Sequence, residues 1–250
     1  MYDAPSYLYA ITLTGVTGIL ATTVAVLYAG AVRAGQGRTR AALLAGAAAA
    51  VLGGWFAASA VIAAHGWYHT RLGHQIPWMP VAIAGFFGLL LVLRRIPAVA
   101  RALTAPGTAH QLELPHFFRI AEIGFLVTMA LGHLPALFAL PAGLGDIVTG
   151  IAAPLVARRL ARGTGRRAAL WLNAFGITDL VVALTLGALT AYQLVNVHPS
   201  AAALSELPLA LVPTVGVPLL LALHVTSVSA LARAPRTAQP TAAPLAAISA

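Results

Sequence analysis

The chain contains no cysteine and no lysine. Without thiols there can be no disulfide, thiolate metal site, iron–sulfur cluster or cysteine nucleophile, and cysteine usage says nothing about redox compartment. Without a lysine amine no retinal Schiff base can form, so a conventional rhodopsin pigment is excluded. Charge is also scarce: 8% of the 250 residues are charged and only six are acidic, where a soluble domain carries about 25% charged residues. Nucleotide-binding loops, a nucleophile elbow and HExxH are missing, so no enzyme class is indicated. Met1–Pro5 lacks the basic n-region of a signal peptide, and the apolar run after it reads as a retained helix.

What the chain does have is apolar length. Seven segments approach the roughly 20 residues that a bilayer core requires. They are Tyr7–Ala31, Ala41–Ala64, Trp78–Leu93, Phe117–Leu134, Ala142–Ala157, Ala168–Val195 and Leu207–Leu231. Long unbroken runs rich in Ala, Leu and Gly are helical rather than alternating barrel strands. The expected fold is therefore all-α: a seven-transmembrane-helix bundle over residues 1–232, with a disordered cytoplasmic tail over 233–250. Loop Ile96–Pro115 is long enough for a short surface helix.

Orientation follows from arginine, which supplies all fifteen basic residues. Fourteen fall to one side, in the loops after segments 1, 3 and 5, in the tail, and at Arg119 where segment 4 begins. Arg71 alone falls to the other. The positive-inside rule then puts the N-terminus outside and the C-terminus in the cytoplasm of a bacterial-type inner membrane. The net charge of +9 is distributed as loop clusters and gives no case for nucleic acid. The lipid bilayer is the expected partner, with a homo-oligomer or a second membrane protein as further candidates.

Ionisable groups inside apolar segments mark functional positions, because hydrocarbon makes them costly. Segment 4 carries Arg119, Glu122 and His133, which share one face on a wheel of about 100° per residue. Segment 5 aligns Gly143, Asp146, Gly150 and Ala153; segment 6 aligns Gly176, Asp179, Ala183, Gly187 and Thr190; segment 7 pairs His224 with Ser227. By depth, the expectation is an outer pair of His133 and Asp146, a central Asp179, and an inner pair of Glu122 and His224 with Arg119 beneath. A short echo, G-[LI]-x-D-[IL]-V, recurs at residues 143–148 and 176–181.

A second cluster, His65-Gly-Trp-Tyr-His69-Thr-Arg-Leu-Gly-His74, lies where segment 2 ends. His65 and His69 have the i, i+4 spacing that lets two imidazoles bind one metal from a helix face. With His74 and His133 they could hold a divalent metal, or haem between helices. Trp67, Tyr68 and Trp78 suit an interfacial aromatic belt. Zinc-dependent seven-helix membrane hydrolases resemble this chain in helix count and in one such histidine pair. They also need a late histidine pair, and segment 7 offers only His224.

Three functions compete on this reading. The first is proton- or cation-coupled transport of a small solute, with Glu122, Asp146, Asp179, His133, His224 and Arg119 as the relay. The second is a membrane redox or metal protein using His65, His69, His74 and His133, with haem or a divalent metal as cofactor. The third is a non-catalytic subunit or assembly factor in which the acids only lock helices together.

Overall fold

A computed structural model describes residues 4–69 and 76–233, and among them all regular structure is helical. His74 and Arg71, and the tail from residue 234, lie outside the described residues. Helix α1 (Ser6–Arg33) turns through Gly35 and Gly37, both at positive φ, into α2 (Arg38–Ala64). Helix α3 (Trp78–Leu93) bends by 83° into α4 (Pro97–Thr104), where Pro97 starts the new helix with a nitrogen that needs no acceptor. A single turn, α5 (Thr108–Gln111), is held by Arg33, whose Nη2 donates to Thr108 Oγ1 at 3.0 Å and Gln111 Oε1 at 2.7 Å. Loop Ile96–Pro115 thus holds two short helices packed under the end of α1.

The next stretch departs from the expected continuous helix. Leu114–Glu122 winds as a 3-10 helix and only then becomes α6 (Ile123–Ala130). Nine residues is long for a 3-10 run, whose hydrogen bonds are poorer than those of an α-helix. Close neighbours on both sides account for it. Gly15 of α1 faces Ala121, Gly18 faces the Phe118 ring, and Gly150 faces Ile120 and the Phe117 carbonyl. A Cβ on Gly150 would stand 2.7 Å from Ile120 Cγ1, so the segment is clasped where no larger side chain fits.

Two long helices follow, α7 (Ala136–Ala161) and α8 (Arg166–Ala191), packed against each other. After a 3-10 turn at Ala201–Ser205 the chain enters a π-helical turn, Val212–Gly216, and continues as α9 (Val217–Arg233). Segment 7 is therefore also broken, and proline is the reason. Pro218 has no N–H for the Thr214 carbonyl four residues earlier. Trp55 Nε1 of α2 donates to that carbonyl instead, at 2.8 Å.

Helices α1, α2, α7 and α8, and Val212–Arg233, are long and apolar enough to cross a membrane; the bent pair α3 and α4 makes a sixth if counted as one span. One apolar core runs through α1, α9 and the facing sides of α7 and α8. The bulkiest fully buried side chain among the described residues is not apolar: it is Arg119.

Candidate functional site

In a 3-10 helix, residues three apart eclipse one another. Glu113, His116, Arg119 and Glu122 are each three apart, so winding Leu114–Glu122 this way stacks four ionisable side chains on one face. An α-helix would spread the same four over about 180°. All four are buried, and the face points at α7, α8 and α9.

Arg119 is the hub. Its Nε donates to Asp146 Oδ1 of α7 at 2.5 Å, and its Nη2 donates to Asp179 Oδ2 of α8 at 2.5 Å. Its Nη1 donates to His224 Nε2 of α9 at 3.2 Å. One guanidinium thus ties three helices to the 3-10 segment, using its fixed fork of donors. Gly145 and Gly176 make room for this. A Cβ at Gly145 would overlap the Asp179 carboxylate, and one at Gly176 would overlap His224 Nε2.

Hydrogen-bond polarity fixes the rest of the network. Guanidinium has no acceptor, so His224 Nε2 accepts and its proton sits on Nδ1, which donates to Asn173 Oδ1 at 2.9 Å. Asn173 Nδ2 donates to Glu113 Oε1 at 2.8 Å, and Ser227 Oγ donates to the same oxygen at 2.5 Å. The donors therefore all point from Arg119 towards Glu113. Burial pushes the Glu113 carboxyl above its ordinary range, while the bonds from Ser227 and Asn173 oppose that shift. His116 stacks on His224 with ring centroids 3.8 Å apart. Glu113 Oε2 and both His116 nitrogens are buried and make no hydrogen bond among the described residues.

Above the hub lies a cavity of about 590 Å³, lined by α3, α7, α8, the 3-10 turn after α8, and the π turn. Its polar floor is Glu122 and Asp146; Phe125, Phe138, Leu180 and Leu220 are among its apolar walls. Glu122 is 5% exposed, and its carboxylate accepts no hydrogen bond among the described residues. Tyr68 and His69 line the cavity further out. His69 Nε2 lies 3.0 Å from Glu206 Oε1. The Tyr68 hydroxyl bonds Ser59 Oγ at 3.0 Å, and burial raises its pKa.

Of the residues singled out from sequence, Arg119, Asp146, Asp179, His224 and Glu122 come together. The expected pairings within that set are corrected. Asp146 turns to Arg119 rather than to His133, because His133 sits in the exposed turn after α6, where its backbone N–H bonds Thr128 O. His224 receives Arg119 and lies behind it, while Glu122 faces the cavity. Glu113, His116 and Asn173 were missed. The signal for two of them was in E-x-x-H-x-x-R-x-x-E, a period of three that a 100° wheel disperses.

The proposed imidazole cluster is not assembled. Helix α2 ends at Ala64, and Gly66 at positive φ reverses the chain, so His65 and His69 share no helix face. His65 Nδ1 bonds Val61 O at 2.8 Å, while His69 turns to Glu206. His74 falls outside the described residues. Among the described residues no group of three His, Cys, Asp or Glu side chains is gathered as a metal would require. Tyr68 is buried rather than part of an interfacial belt; Trp67 and Trp78 are exposed.

A family model described as "Domain of unknown function (DUF8737)" matches residues 76–232. That range takes in Glu113, His116, Arg119, Glu122, Asp146, Asn173, Asp179, His224 and Ser227, and leaves α1 and α2 outside. No curated protein and no solved structure matches the chain.

Proposed function

The chain belongs to the DUF8737 family, and for this member we propose proton- or cation-coupled transport of a small solute across a cytoplasmic membrane. The observation that carries the reading is the cavity floor. Two carboxylates, Glu122 and Asp146, meet a space of about 590 Å³, and the buried network continues from Asp146 through Arg119, His224 and Asn173 to Glu113. Glu113, Glu122, Asp146 and Asp179 lie around this network with a single guanidinium, which bonds Asp146 and Asp179, so three of the four must hold a proton or receive a cation for the cluster to be neutral. That is the chemistry a coupling site needs.

The topology belongs to the same proposal: seven passes, N-terminus outside and C-terminus cytoplasmic. The 3-10 segment and α6 together rise about 30 Å at the usual 2.0 and 1.5 Å per residue. They can therefore cross a hydrocarbon core in 17 residues. Counted as one pass, they make the arginine-rich loops fall on one side, and the cavity then opens towards the outside.

Proteoliposomes carrying an inward pH gradient test this with a panel of small cationic, zwitterionic and neutral solutes. At least one solute should dissipate the gradient in a protein-dependent manner, and Glu122→Gln and Asp179→Asn should abolish that flux. No protein-dependent dissipation by any of them, or unchanged flux in both variants, contradicts the reading.

A further inference from the structure

The cavity's lining restricts what can occupy it. Among the described residues no arginine lines it, and Arg119 is sealed behind Asp146 with no exposure. His69, the one histidine among the described lining residues, lies next to Glu206. The walls are aliphatic and aromatic, with Phe125, Phe138, Leu184 and Val217 among them, and the volume is that of a small-molecule site. At the floor Glu122, nine-tenths buried, has acceptor capacity that no described residue satisfies. Among the described residues an anion would meet two carboxylates and no free cation. A strongly hydrated polar solute would lose its water against apolar walls.

We infer that the cavity binds amphipathic cations, organic ammonium compounds whose apolar body fills the walls while the N–H groups donate to Glu122. Asp146 already receives Arg119, so Glu122 is the carboxylate left to meet the ammonium. This deepens the transport reading by naming the solute class, and it concerns binding at equilibrium rather than movement.

The test uses detergent-purified full-length protein and three probes of one size: 4-phenylbutylammonium, 4-phenylbutanol and 4-phenylbutyrate. Equilibrium dialysis at neutral pH against protein-free micelles removes partitioning into detergent. A charge-assisted bond to a buried carboxylate should make the ammonium bind roughly 10- to 100-fold tighter than the alcohol. Glu122→Gln should erase that preference. Leu184→Trp, which fills the cavity from its α8 wall, should weaken the ammonium with Glu122 intact, which covers the case in which Glu122→Gln fails to fold. Binding of the alcohol or the butyrate as tight as that of the ammonium, a preference that survives in Glu122→Gln, or ammonium binding unaffected by Leu184→Trp overturns the inference. Ammonium preference without gradient-driven flux removes the transport reading alone; flux without ammonium preference removes this inference alone.

Discussion

Arg119 has no contact with solvent, yet each of its three guanidinium nitrogens meets an acceptor from a different helix. A buried charge survives only when such partners replace water. Glu113, at the far end of the same hydrogen-bonded chain, is buried on different terms. Two donors reach one oxygen, and burial still outweighs them, so its carboxyl holds a proton more tightly when folded than when unfolded. Its contribution to stability is therefore complete below the ordinary carboxylate range and is lost as pH rises through the raised value. Thermal unfolding in detergent should show a melting temperature that declines with rising pH in this window, and Glu113→Gln should flatten the decline. An unchanged slope in the variant would remove Glu113 from the account.

The 3-10 segment is the element on which the site depends. Its winding brings four ionisable residues into line, and its clasp between α1 and α7 holds the winding. Gly150→Ala adds a methyl against Ile120 and should cost about 1–3 kcal/mol as overpacking. Gly54→Ala in α2 meets nothing within 4 Å and should be neutral or stabilise by up to about 1 kcal/mol. Unfolding free energies of the two variants check the contrast; equal effects would contradict the clasp. Much of the helical architecture was legible because apolar runs of sufficient length admit little else. Segments 1, 2, 3, 5 and 6 each became one continuous helix, and the stripes around Asp146 and Asp179 are buried. Segments 4 and 7 broke for reasons remote in sequence. Gly18 and Gly150 lie far from the segment they clasp, and Trp55 lies 159 residues from the carbonyl it satisfies. A wheel that assumes α geometry could bring Glu122 near Arg119, but it could not bring Glu113 and His116 to the same face.

Across the whole molecule, the two copies of G-[LI]-x-D-[IL]-V carry carboxylates, Asp146 and Asp179, that converge on one guanidinium. The echo in the sequence is thus two arms of one clamp between antiparallel helices. The cavity rests on that clamp, so its floor and the packing of α7, α8 and α9 are mechanically one unit. Removing Arg119 alone leaves Asp146 and Asp179 buried without their counter-charge, whereas removing all three charges leaves neither of these positions charged. The decisive measurement is the unfolding free energy of Arg119→Met beside that of the triple variant Arg119→Met, Asp146→Asn, Asp179→Asn, in the same detergent. The account predicts a loss of about 3–5 kcal/mol for the single variant, with most of it recovered in the triple. Losses that simply add would show that the three side chains do not meet, and would contradict the shared centre on which the functional reading stands.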